Sequence, residues 1–110
     1  MERFVKGDIV VLDFPFSNLK SYKRRPSLII KVPKGEDIII CQITAESQEP
    51  MVEIPLNRND FSKGSLKRDS FLRIDKITTL KMSRIKYKIG ALKSGKFKGI
   101  MDRIISFLKD

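Results

Sequence analysis

The sequence predicts a small, mainly β barrel closed by a C-terminal helix. Short apolar segments of period two run through residues 9–91, Gly, Pro, Asn and Asp punctuate them, and the apolar period becomes helical after Ser94. The length of 110 residues fits one domain, 1–110, around one core.

In chain order, Gly7-Asp8 reads as a turn into a strand Ile9–Phe16. Its Val10, Leu12, Phe14 and Phe16 share one face, Asp13 lies on the other, and Pro15 marks an edge or strand end. Ser17 to Arg25 is a polar, basic loop, longer than a hairpin turn. Pro26 has no N–H and suits the very start of a second strand, Ser27–Val32. After a turn at Pro33–Glu36 come a strongly apolar third strand, Asp37–Thr44, and a short fourth, Met51–Pro55. Leu56–Lys67 reads as irregular. Ser70–Asp75 alternates again, Lys76–Leu80 continues or neighbours it, and Tyr87–Ala91 forms a last short strand. Phe97, Ile100, Met101, Ile104, Ile105 and Leu108 then make the core-facing stripe of an amphipathic helix, with Ser94 as its N-cap. Five or six strands and one helix form a small barrel with a capping helix.

Composition narrows the function classes. The single cysteine, Cys41, allows no internal disulfide; it follows three isoleucines, and with no histidine to activate it the thiol reads as a core group. One Cys and no His also deprive a transition-metal site of its usual ligands, so no metal and no cofactor is expected. No signal peptide and no membrane span is read, which leads to the expectation of a cytoplasmic protein. The net charge of +10 is unevenly spread. Residues 17–34 hold Lys20, Lys23, Arg24, Arg25, Lys31 and Lys34 with no acid, residues 35–60 are mostly acidic, and the remainder is basic again. Such segregation favours a polyanionic partner on one side of the fold.

Three places combine polar chemistry with strand ends. In Lys23-Arg24-Arg25-Pro26 the proline biases Arg25 toward extended backbone and so positions a guanidinium, a fork suited to phosphate. In Gln42-Ile43-Thr44 the apolar third strand turns polar and offers a hydroxyl. Arg73-Ile74-Asp75 puts opposite charges on one strand face, either as a salt bridge or as part of an acid/base and phosphate-clamping site.

Taken with Lys6-Gly7-Asp8-Ile9-Val10, the segments Arg25-Pro26-Ser27-Leu28-Ile29-Ile30 and Gln42-Ile43-Thr44 resemble, in order and spacing, the MazF/PemK toxin family. The block from Asp69 to Leu80 is similar to the family's second motif, and the apolar helix after Lys88-Ile89-Gly90 matches in place. The resemblance implies an SH3-like β-barrel, a homodimer, and metal-independent cleavage of single-stranded RNA by a toxin of a type II toxin–antitoxin system. It also implies an antitoxin whose acidic, partly disordered tail covers the basic site. Arg25 and Thr44 correspond to the family's catalytic pair, and Arg73 and Asp75 match positions implicated in some members. Two departures stand out: Ala45 follows Thr44 where serine is common, and the chain has no histidine.

The expected chemistry uses the RNA 2′-hydroxyl as nucleophile, leaving a 2′,3′-cyclic phosphate and a 5′-hydroxyl. Arg25 stabilises the phosphate charge, Thr44 orients it, and Asp75 is the candidate base although Arg73 beside it depresses its basicity. Lys20, Tyr22, Lys23, Arg24, Gln42 and Arg73 are the candidate RNA contacts, with Tyr22 able to stack on a base. Two other readings keep the fold: a CcdB-type gyrase-binding toxin, and a non-catalytic RNA-binding barrel.

Overall fold

A computed structural model describes residues 3–15 and 22–110; Phe16, most of the basic loop and Lys20 lie outside the described residues. Seven strands form one antiparallel sheet, followed by a helix. The strands are β1 (Asp8–Pro15), β2 (Tyr22–Lys31), β3 (Asp37–Thr44), β4 (Glu53–Leu56), β5 (Phe61–Gly64), β6 (Ser70–Lys81) and β7 (Ile85–Leu92), and the helix is α1 (Ser94–Lys109). They lie in the order β4-β6-β3-β2-β1-β7-β5.

The two edge strands are consecutive in the chain, and this forces the sheet to curl. Leu56 ends β4 and Phe61 begins β5, so their Cα atoms are at most about 19 Å apart. The edges of a flat seven-stranded sheet would stand about 29 Å apart. A single 3₁₀ turn makes the link, closed by reciprocal bonds: Asn59 N–H donates to Asn57 Oδ1 at 2.9 Å and Asn57 N–H donates to Asp60 Oδ2 at 2.8 Å.

Both faces of the curled sheet are apolar in the middle. One carries Ile9, Leu28, Cys41, Ile43, Leu72, Ile74 and Leu92, on which α1 lays Ile100 and Ile104. The other carries Val10, Leu12, Ile29, Ile38 and Ile40, flanked by Phe4, Phe14, Val32, Leu80, Met82 and Ile85. The expected row of Val10, Leu12 and Phe14 is therefore present on one face of β1, but Ile9 and Val11 on the other face are buried too.

Several boundaries differ from those the sequence suggests. The described residues form seven strands rather than five or six. Pro26 sits inside β2 instead of opening it, which costs little because residues 22–26 pair with β1 alone and the missing N–H leaves no gap in a central ladder. Pro50–Val52 is a 3₁₀ turn, so the fourth strand starts at Glu53. The stretch 56–67 holds a real strand, β5, and Gly64 and Gly90 let it approach β7: a Cβ on either would collide with the backbone carbonyl opposite. Lys93, and not Ser94, is the helix N-cap, with its N–H bonded to Asp60 O at 2.8 Å. The helical stripe is only partly core, since Ile105 and Leu108 remain exposed beyond Ile104, the last helical residue of the core.

The segment between β3 and β4 is tied down from inside. Glu53 is buried, and its carboxylate accepts from Ser47 Oγ at 2.6 Å, Gln48 N–H at 2.8 Å and Glu49 N–H at 3.0 Å. These donors, first the Gln48 N–H, then the Ser47 hydroxyl and Glu49 N–H, hold its pKa below the ordinary 4.5 against the effect of burial.

Two outcomes follow from this packing. Leu72→Ala, at a fully buried position beneath the helix, should lower stability by about 2–5 kcal/mol in urea unfolding. A depressed carboxylate stabilises the fold fully above its unfolded pKa and loses that contribution as pH falls through its folded pKa. Stability should therefore decline on acidification below 4.5, and Glu53→Gln should flatten that decline in chemical denaturation followed against pH. An unchanged pH profile would remove Glu53 from that role.

Candidate functional site

The site lies where the second apolar face turns polar. On β3 the row Ile38, Ile40 continues as Gln42 and Thr44, and on β2 the row of Ile29 runs back through Ser27 to Arg25. Strand β6 supplies the third wall through an irregularity. While β3 advances from Cys41 to Ile43, β6 passes from Ile77 to Leu72, so residues 73–76 leave the β3 ladder as a wide bulge. Leu72 and Ile74 keep their side chains in the core beneath the helix, and Arg73 between them takes the other side. The resulting cleft encloses about 100 Å³ and is lined by Arg25, Gln42, Thr44, Gln48, Arg73 and Lys76. It adjoins a second hollow lined by Arg25, Thr44, Ala45, Glu46, Gln48 and Arg68.

Arg73 organises this corner. It is 6% exposed, and its Nε and Nη2 donate to the two carboxylate oxygens of Asp75 at 2.9 and 2.7 Å. Nη1 donates to Gln48 Oε1 at 3.3 Å. Behind it, the Cys41 thiol donates to the Arg73 carbonyl at 2.8 Å and ties the bulge to the core. Glu53 pairs with Arg73 across β4 and β6, and Asp75, Glu53 and Glu49 all favour its charged form. Asp75 is correspondingly acidic, held below the ordinary aspartate value first by the Arg73 hydrogen bonds, against the effect of burial. Burial, and then the Asp75 charge, push the Cys41 thiol up to about 12, so it is inert at neutral pH.

The candidates read from the sequence divide into groups. Arg25, Gln42, Thr44 and Arg73 share the cleft, and Asp75 holds Arg73 from beside it. Thr44 Oγ1 donates at 3.3 Å to the Glu46 carbonyl, a long bond at an exposed site. Arg24 projects elsewhere: it pairs with Asp13, its cross-strand partner, at 3.3 Å, and Lys86 joins them at 3.4 Å. Burial raises the pKa of Asp13, but the hydrogen bonds from Arg24 and Lys86 outweigh it and keep the carboxylate acidic. Lys23 is exposed near the start of β2 and does not line the cleft. Lys20 and the Tyr22 side chain lie outside the described residues.

Sequence reasoning did not single out Gln48, Lys76 and Arg68 as lining residues, nor Glu53 as the anchor of the Gln48 loop. Lys76 stood within a motif, so its place was within reach. Gln48 falls in the loop 45–50, which together with 17–25 the sequence marks only as a source of substrate preference, and the Glu53 contacts are what bring this residue to the cleft. The Gly7-Asp8 turn is structural: Gly7 adopts φ +95°, its N–H bonds to Ile29 O, and the buried Asp8 accepts from Val5 N–H at 2.9 Å. Among the described residues no group of three His, Cys, Asp or Glu side chains is placed to hold a metal ion. No helix there is long and apolar enough to cross a membrane.

Comparison with known proteins places this geometry. Solved structures of similar fold include a Mycobacterium tuberculosis toxin MazF-mt6, with TM-score 0.70, 20% identity, and 93% of this chain and 96% of that chain covered. A MazE–MazF structure from Deinococcus radiodurans gives TM-score 0.75 at 17% identity, covering 99% and 98%. A mycobacterial endoribonuclease in complex with its cognate antitoxin gives 0.69 at 14%, covering 97% and 93%. At these identities the likeness is one of fold. A search of curated protein sequences found no match. The family model for the PemK-like, MazF-like toxin of type II toxin–antitoxin systems matches residues 5–108, and the chain belongs to that family.

Proposed function

We propose that this chain, as one domain, is a metal-independent endoribonuclease toxin that cuts single-stranded RNA. The observation that carries the reading is the shared cleft of Arg25 and Thr44, two residues that the sequence pattern pairs and that the curl of β2 against β3 brings to one wall. A homodimer, an antitoxin with an acidic disordered tail, and a cytoplasmic setting complete the proposal. Structural neighbours described as MazE–MazF and as an endoribonuclease in complex with its cognate antitoxin support the partner.

In the reaction the 2′-hydroxyl oxygen bonds to the adjacent phosphorus, the P–O5′ bond breaks, one proton leaves O2′ and one reaches O5′. The guanidinium of Arg25 neutralises charge gathering on the non-bridging oxygens, and Thr44 orients one of them. Lys76 and the remaining N–H groups of Arg73 extend the positive wall along the RNA backbone. Asp75 is ionised with both oxygens engaged by Arg73, so it holds a proton poorly at neutral pH. Its part is then to fix Arg73; solvent hydroxide takes the O2′ proton and a water molecule supplies the proton that O5′ gains, in a chain that has no histidine.

Mixed-sequence single-stranded RNA incubated with the protein in EDTA should yield 5′-hydroxyl fragments. Arg25→Ala and Thr44→Ala should each lower the single-turnover rate by about 10²-fold or more, and a 2′-deoxy nucleotide at the cut should block it. Intact RNA at micromolar protein would leave the gyrase-binding or non-catalytic readings in place. Between about pH 6 and 8.5 the rate should climb steadily without a bell. A plateau set in the carboxylate range and abolished by Asp75→Asn would restore Asp75 as the base.

A further inference from the structure

We infer that Gln48 reads the O4 of uracil or the O6 of guanine beside the cleaved phosphate, so that these bases are favoured there over cytosine and adenine, which carry an amino group at that edge. The inference rests on the RNA-cutting reading and adds to it a specificity residue and a substrate class.

Gln48 is exposed and stands at the seam of the two hollows that share Arg25 and Thr44. Its backbone is fixed, because its N–H and the groups on either side of it converge on the buried Glu53 carboxylate. Its side chain is fixed at one end, where Arg73 Nη1 donates to Oε1. A guanidinium carries N–H donors and no acceptor, so the amide cannot turn its nitrogen toward Arg73. Arg73 occupies one lone pair of Oε1 and turns the amide so that the Nε2 hydrogens face away from it, and Gln48 acts through them as a donor to the ligand.

That polarity selects among bases. Guanine O6 and uracil O4 accept hydrogen bonds, whereas adenine N6 and cytosine N4 carry amino donors. An amino base at this point would set donor against donor and leave both unpaired. Phosphates are better served by the cations already present, Arg25, Arg68 and Lys76. A neutral, oriented amide adds little charge but does add direction, which is what base reading requires.

A single-stranded RNA pool randomised around the cut, digested by wild type, Gln48→Ala and Gln48→Glu and mapped by fragment ends, tests this. Wild type should prefer a keto base at one position flanking the cut by about three- to tenfold, and Gln48→Ala should narrow that to within about twofold. Gln48→Glu, equal in shape but without the donor, should lose the preference as well. Neither change touches the backbone N–H held by Glu53, so circular dichroism should report the native fold for both. A uniform fall in rate with the base preference intact assigns Gln48 to phosphate or loop shape and overturns the inference, as does an unaltered preference. If wild type cuts nothing, the RNA-cutting reading fails by itself. Binding of 2′-deoxy oligonucleotides bearing U, G, C or A at that place then decides base reading separately: equal affinities for wild type sink it.

Discussion

The structure around the cleft depends on accommodating one nearly buried guanidinium. Arg73 lies between Leu72 and Ile74, whose side chains belong to the core, so its own side chain is directed to the opposite face, where charge is costly unless paired. Asp75 supplies a bidentate partner from the same strand, and Gln48 supplies a carbonyl oxygen from the neighbouring loop. Glu53 meets it across the β4–β6 ladder and holds that loop by three further bonds. Where β6 bulges away from β3, the Cys41 thiol bonds the Arg73 carbonyl from the core side. Removing any one member leaves a buried charge or dipole in the others, which is why such networks behave as a unit.

The curl of the sheet sets the second condition. A short link between edge strands leaves no room for a flat sheet, and the neighbouring strands β2, β3 and β6 together wall the cleft. Because the row on this face changes from isoleucine to glutamine and threonine along β3, the wall is greasy at one end and polar at the other. Arg25 enters that polar end from an extended segment that Pro26 stiffens and β1 alone supports.

How much of this the sequence disclosed follows from how local each feature is. Strand β3 was legible to the residue, since a run of eight positions that includes four isoleucines and a cysteine has few other uses. The helix was legible from its 3.6 period, but the cap shifted to Lys93 because a backbone bond from β5's approach, through Asp60, decides it. Strand β5 was invisible: Phe61 is its one buried residue, and its pairing depends on glycines that face each other only in three dimensions. Arg25, Thr44 and the Arg73–Asp75 pair could be singled out by motif and alternation. The sorting of Arg24 away from Arg25 was equally implicit in period two, yet the Asp13 that receives it becomes its neighbour only through the β1–β2 register.

The acidic middle of the chain shows why charge in sequence and charge in space differ. Residues 35–60 suggest an acidic side to the molecule, but Glu53 is turned inward, Asp60 closes a turn and faces Lys96, and Asp37 pairs with Lys81. These carboxylates are used as internal and cross-strand acceptors, so they do not form one opposing acidic surface. Their effect is to orient donors: Glu53 fixes the loop that carries Gln48, and Asp75 fixes the guanidinium that turns the Gln48 amide. The cleft is therefore lined mainly by groups that give hydrogen bonds, and the Gln48 oxygen is already engaged by Arg73. A surface of that kind is matched to a ligand rich in acceptor oxygens, and its selectivity resides in the direction of its neutral donors more than in the number of its charges.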